Sequence, residues 1–474
     1  MSAAVMAAAG AAGGVLARPG PRHDPSVAER LARSAAAREG AGIGTAEVAG
    51  WLAERARAHP FRVERIPFEA LEGWSFQEPG GNLVHRSGRF FGVEGLDVSV
   101  TSVEKGAAGA EDGRWQQPVI VQPEVGILGL LCREIDGVPH FLLQAKMEPG
   151  NINLLQLSPT VQATHSNYTK VHRGSGVRYL EHFTEPGRGR VIADVLQSEH
   201  GSWFHHKANR NMVVETDEDV EPHEDFRWLT LGQIHELLAR DHLVNMDART
   251  VLSCLPFADP RPTALHRDVE LLSWITGQRS SRRLRAERIP LASVADWHRS
   301  PERIEHRSGR YFQVVAVDVR AGNREVGHWT QPLFAPVGTG VTAFVLRRFG
   351  GVPHVLAHAL VEGGYRNTVE LGPTVQCTPG NHRVPPRFLD LVLGAGPERI
   401  RYDAHHSEEG GRFLAADTRC LIVEAAEDEA PLDAPPGFRW VTPGQLTGLV
   451  RHGHYVNVQA RTLLACLNSL AVRG

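Results

Sequence analysis

The densest grouping of chemically capable side chains in the chain is Gln144–Thr164, QAKMEPGNINLLQLSPTVQAT. It sets a cation (Lys146), an acid (Glu148), five amides (Gln144, Asn151, Asn153, Gln156, Gln162) and three hydroxyls (Ser158, Thr160, Thr164) within two short elements. Each such group buried without a partner costs free energy, so a strand that only fills a core has no use for so many. A surface that binds a polar, multiply oxygenated ligand does.

Part of this stretch recurs. Leu157–Thr164 (LSPTVQAT) returns as Leu371–Thr378 (LGPTVQCT), and Gly137–His140 (GVPH) returns unchanged at Gly351–His354. The other matches keep the same order. Arg86–Phe91 becomes Arg307–Phe312, Trp115–Pro118 becomes Trp329–Pro332, Ser198–Phe204 becomes Ser407–Phe413, and Phe226–Trp228 becomes Phe438–Trp440. The chain is a tandem duplication of a unit of roughly 210 residues, which is ordinary domain size.

Shared residues serve what both halves do. They include Trp115/Trp329, Arg89/Arg310, Thr160/Thr374, Gln162/Gln376, Arg210/Arg419 and Glu215/Glu424. The planar arginine fork suits a diphosphate, and a surface ion pair is the commoner fate of any single arginine. Core packing is the commoner fate of the tryptophans. Unshared polar residues serve one half only. Lys146 faces Leu360, Gln144 faces His358, Asn151 faces Tyr365, Gln156 faces Glu370, Tyr168 faces His382, His200 faces Glu409 and Trp203 faces Arg412. The first copy is therefore read as the working site and the second as degenerate or purely binding.

Composition excludes several classes. The net charge of −3 gives no global field that recruits nucleic acid or membrane. The longest apolar run, about Val125–Cys132, is far short of the ~20 residues a spanning helix needs. Cys132, Cys254, Cys377, Cys420 and Cys466 are scattered and odd in number, which fits a reducing cytoplasm and neither a disulfide framework nor a thiolate zinc site. There is no GxGxxG, GxxxxGK[ST], HExxH or Nudix box, so no motif calls for a nucleotide cofactor or a metal. Adjacent histidines such as His405 and His406 point to opposite sides of a strand and do not share a metal.

These side chains must be held by strands and capped helices. Thr45–His59 has helical spacing and is stopped by Pro60. Leu128–Glu134 and His140–Ala145 read as a hairpin, repeated at Phe344–Phe349 and His354–Leu360. Thr230–Gln233 and Thr442–Gln445 are capping boxes opening helices. Each half is α+β, a mixed sheet with helices at its end. The expected boundaries are a disordered Ala/Gly/Arg-rich tail over 1–40, units over 41–270 and 286–474, and an Arg/Ser-rich linker around Ser273–Arg285.

Over Val121–Gly174 the chain closely resembles the NDP-hexose 2,3-dehydratases, and the likeness extends over most of its length because that family also carries two tandem repeats. The resemblance implies Nudix-like α+β repeats, a homodimer, a dTDP-sugar in each repeat and one catalytic site per subunit, with no cofactor. It implies a lyase that removes the C2 hydroxyl of dTDP-4-keto-6-deoxyglucose as water, for deoxysugar and antibiotic biosynthesis. The other reading is a non-catalytic or hydrolytic Nudix-like nucleotide-sugar binder. For the lyase, the acid, base and oxyanion candidates are Lys146, Glu148, His200 and Tyr168. Gln144, Asn151, Asn153, Thr160, Gln162, Arg89 and Arg210 would hold sugar and diphosphate, and Trp115 or Trp203 would stack on thymine. Trp329, Arg310, Thr374, Gln376 and Arg419 would form a second nucleotide site.

Overall fold

In a computed structural model of the chain, the described residues are 25–103, 113–164, 176–257, 264–322 and 326–470. They form two repeated mixed α+β units, each with a five-stranded and a seven-stranded sheet.

In the first unit the larger sheet runs in the order Arg190–Ser198, Ala208–Glu215, Ile127–Ile135, Val138–Met147, Phe226–Thr230. Ala208–Glu215 and Ile127–Ile135 are parallel and the other pairs are antiparallel. Asp136 and Gly137 turn the hairpin with φ of 51° and 78°, the left-handed pair that a two-residue connection requires. Gly350 and Gly351 do the same in the second unit.

Beyond Leu131 and Leu142 the hairpin strands part, and the chain returns between them as Leu155–Ser158 and Val161–Ala163. Thr160 sits at the fork. Its hydroxyl donates to the Leu142 carbonyl at 2.5 Å and accepts the Leu131 N–H at 2.9 Å, satisfying the two backbone groups that the parting strands expose. Thr374 makes the same two bonds to Leu356 and Val345. This explains why the threonine is shared, and it places Lys146 and Glu148 on a strand end opened away from its neighbour.

The smaller sheets are exchanged between the repeats. Phe61–Ile66 pairs along its whole length with Phe312–Ala321 of the second unit, and Arg282–Ile289 pairs with Gly92–Ser102 of the first. The expected linker is therefore a helix, Asp268–Ser280, followed by this exchanged strand. The tail reading also gives way over Pro25–Ala36, a helix whose Val27, Leu31 and Ala35 join the core against the first large sheet.

Both capping boxes form, with Thr230 accepting from Gln233 N and Thr442 from Gln445 N. Helices Met246–Leu252 and Val458–Leu470 begin at Asn245 and Asn457, each accepting an N–H three residues on. Their buried arginines cross the seam: Arg249 donates to the Ser407 carbonyl at 2.9 Å and Arg461 to the Ser198 carbonyl at 2.6 Å. Neither repeat completes its sheets or satisfies these helices alone.

Candidate active site

The strand fork of the first unit opens into a cavity of about 440 Å³. Its floor carries Lys146, Glu148 and Gln162 from the fork, Lys207 and Asn209 from the neighbouring strand, and Asp247 from the first turn of its helix. Trp74, Arg86, Phe90 and Phe91 form one wall. The second unit closes the other with Trp329, Gln331, Glu409 and Arg412.

The crossing is tight because the two loops share backbone bonds. Gly150 donates to the Gly410 carbonyl at 2.8 Å and accepts from Ala415 N at 2.8 Å. This brings Glu409 and Arg412 over the Lys146 strand.

Inside, the polar groups hold one another in place. Gln162 donates to Glu148 Oε1 at 2.7 Å, and Lys146 Nζ lies 3.3 Å from the Gln162 carbonyl. Arg412 Nε donates to Gln122 Oε1 at 3.1 Å, with its guanidinium 4.3 Å over the Phe91 ring. Lys207 Nζ donates to the Glu124 carbonyl at 2.5 Å. Glu148, Asp247 and Glu409 thus share one cavity with Lys146, Lys207 and Arg412.

Burial makes the charged forms costly. It pushes the Asp247 carboxyl well above its ordinary range, and the neighbouring carboxylates Glu409, Glu148 and Glu199 push the same way, against Lys146. Burial, with Glu199 behind it, pushes Glu409 up to about 7 although Arg412 opposes the shift. Burial lowers Lys207. Two carboxyls in one cavity whose surroundings raise their pKa values to different degrees are the arrangement that separates an acid from a base. Among the described residues, the three-ligand groups of His, Cys, Asp or Glu lie outside this cavity.

The sequence model of the NDP-hexose 2,3-dehydratases matches residues 45–255 and again 268–467. The chain belongs to that family. It is 58% identical over 461 residues to a dTDP-4-dehydro-6-deoxy-alpha-D-glucopyranose 2,3-dehydratase of Amycolatopsis orientalis, covering 96% of each chain. It is 50% identical to enzymes of the same name from Saccharopolyspora spinosa (91% of this chain, 93% of that one) and Streptomyces violaceoruber (91% and 98%). The break between the two NDP-hexose 2,3-dehydratase segments falls just before the helix that leads into the exchanged strand.

Within this NDP-hexose 2,3-dehydratase fold, the residues expected to act together are only partly brought together. Lys146, Glu148 and Gln162 line the cavity, and Asn151 reaches Glu148 at 3.5 Å. His200 and Trp203 do not line it. They stack on each other at 5.5 Å on the other side of the seam, and His200 Nε2 meets Glu408 Oε2 at 2.9 Å. Burial opposes the His200 charge, but Glu408 outweighs it and the pKa rises. Because each fork is roofed by the opposite repeat, His200 occupies in the second unit's seam the place that Glu409 takes in the first.

Trp329, assigned from sequence to a second site, lines the first unit's cavity for the same reason. Trp115 bonds Gln117 at 2.9 Å and packs on the exchanged sheet. Arg210 and Arg419 make identical bidentate pairs with Asp194 and Asp403 on the outer face. Arg89 is exposed, as is Arg86, which lines the cavity mouth; Arg310 lies over Tyr311. Gln144 lies in the sheet, and Asn153 donates to the His242 carbonyl at 2.8 Å. Gln376 bridges Glu362 and Asn457, while Tyr365, in the place of Asn151, is buried against Asn457. Tyr168 lies outside the described residues.

Asp247, Lys207, Glu409 and Arg412 were not among the predicted site residues. Asp247 aligns with Gln459 and Lys207 with Ala416, so the comparison that singled out Lys146 also separates them. In the sequence Glu409 and Arg412 stand out only as replacements for His200 and Trp203.

Proposed function

We propose that the chain is a carbon–oxygen lyase that removes the C2 hydroxyl of dTDP-4-keto-6-deoxyglucose as water, in deoxysugar biosynthesis. The observation that carries the chemistry is the Asp247 and Glu409 carboxyl pair in one cavity with Lys146 and Arg412.

The C4 ketone acidifies the C3 proton. Ionised Glu409 takes that proton. Lys146, with Arg412 beside it, stabilises the enolate oxygen at C4, an effect worth ~10²–10³ in rate. The C2–O bond then breaks with its electron pair on oxygen, and the proton held by Asp247 makes the leaving group water. The resulting C2=C3 enol loses its hydroxyl proton and gains one at C2, giving a 3,4-diketo-2,6-dideoxy sugar. The net change is loss of one water. Glu148, fixed by Gln162, orients a sugar hydroxyl, and Trp74 and Phe91 on one wall and Trp329 on the other face the nucleotide.

The same reading takes each repeat as Nudix-like in descent, the splayed mixed sheet being its support. It takes the enzyme as a cytoplasmic homodimer supplying sugars for antibiotic-type glycosylation.

The test is incubation with dTDP-4-keto-6-deoxyglucose, a 3-ketoreductase and NADPH to trap the diketone, with mass spectrometry of the product. A dideoxy product, lost in Asp247→Asn and kept in Leu360→Ala, is expected. Unchanged sugar that still binds would make the protein a binder, and release of dTMP would make it a hydrolase.

A further inference from the structure

Away from the cavity, the loop that follows helix Leu231–Leu238 crosses the seam and lies on strands Ile400–Ser407 and Asp417–Glu424 of the second unit. His242 from the loop meets His405 and Asp417 from the strands. One ligand-type atom from each lies within 4.8 Å of the other two. His405 Nδ1 is 3.0 Å and His242 Nε2 is 3.7 Å from the same oxygen, Asp417 Oδ1. Zinc bonds of ~2.0–2.1 Å at tetrahedral angles put neighbouring ligand atoms about 3.3 Å apart, so these separations bracket what a bound ion needs.

From this geometry we infer that His242, His405 and Asp417 form a binding site for a zinc-class divalent transition metal that ties the two repeats together.

Three further observations support it. The ligands are oriented by groups outside the cluster, as those of metal sites are. His242 Nδ1 faces Ser407 Oγ at 3.3 Å, leaving Nε2 toward the cluster, and Thr339 Oγ1 donates to Asp417 Oδ2 at 3.1 Å. The loop and strand are locked by main-chain bonds, His242 N to the His405 carbonyl and His405 N to Asp241 Oδ1, both at 2.8 Å. The set is also peculiar to one side of a pseudo-symmetric seam. The equivalent loop of the second unit keeps a histidine, His454, but the strand positions matching His405 and Asp417 hold Leu196 and Ala208. The fold itself therefore needs neither side chain there. The chain from His242 runs within five residues to Asp247, so an ion here steadies the helix that carries one cavity carboxyl against the unit that carries the other. Three protein ligands leave a fourth position for water.

The experiment uses full-length protein dialysed against chelator, titrated with zinc by calorimetry and with cobalt(II) by visible absorption, with the melting temperature followed in parallel. One equivalent of zinc, a rise in melting temperature and tetrahedral cobalt bands are expected. Affinity should fall tenfold or more in the double variant His405→Leu/Asp417→Ala, which installs what the first unit carries. Should that variant melt early, His242→Gln, on the loop, must show the same loss. No stoichiometric binding in the native protein, or binding unchanged in His242→Gln, would overturn the inference.

Discussion

The Gly150 N–H donates to the Gly410 carbonyl at 2.8 Å, and a Cβ placed on Gly150 would lie 1.6 Å from the Phe413 carbonyl oxygen. The fork of one repeat and the roof supplied by the other are thus in backbone contact, with no room for a methyl group. Gly364 meets Phe204 in the same way, its Cβ falling 1.7 Å from that carbonyl. Gly150→Ala must push the roof loop back and break both seam bonds. It should lower stability by about 1–3 kcal/mol, the usual range for overpacking, and cost activity out of proportion because Glu409 and Arg412 move with the loop. Denaturant unfolding beside single-turnover rates checks this.

The cavity chemistry predicts a division of labour between the carboxyls. Asp247→Asn and Glu409→Gln should each lower kcat by ~10²–10⁴ without loss of fold, since each removes one proton-transfer group. Deuterium exchange at C3 separates them. Asp247→Asn should still exchange the C3 proton of the bound ketosugar, and Glu409→Gln should not.

Acidity offers an independent check. Both carboxyls have folded-state pKa values raised above their unfolded values. For such an acid the unfolded state releases its proton first, so stability is lost as pH rises from the unfolded pKa toward the folded one. For Glu409 that window runs from about 4.5 to about 7. The melting temperature of Glu409→Gln should therefore gain on the native protein across that window. The rising limb of kcat against pH, set near 7 by ionisation of Glu409, should vanish in that variant.

The duplication was legible because like residues recur at nearly constant spacing, and the capped helices and hairpins because their signals are local. The exchange of Phe61–Ile66 and Arg282–Ile289 was not. The two strands run out into the same sequence, Glu64–Pro67 and Glu287–Pro290, so either suits either sheet and nothing local says which partner each takes. That one long-range choice governs the site reading. Sorting residues by repeat assigned Lys146 to the first fork, but it put His200 beside Lys146 and Trp329 away from it, because each roof comes from the other repeat. Asp247 is a different case: it departs from Gln459 as plainly as Lys146 does from Leu360.

His200 gives the prediction that separates the two sides of the seam most cleanly. It is fully buried, paired with Glu408 at 2.9 Å and stacked on Trp203, and it does not line the cavity. Removing it leaves a buried carboxylate without its partner, which is costly wherever the charge cannot reach water. His200→Ala should therefore lower the melting temperature clearly while kcat of the folded fraction stays within a few-fold of native. Lys146→Met should do the reverse, with near-native melting and kcat reduced by ~10²–10³. Because the His200 pKa is raised in the folded protein, its stabilisation is full below the unfolded value of 6.5 and fades as pH rises through the folded one. The melting difference between native protein and His200→Ala should therefore be largest in mild acid and shrink toward alkaline pH. A His200→Ala protein that melts normally but has lost turnover would place this histidine in the chemistry and break the assignment of each fork to the opposite roof.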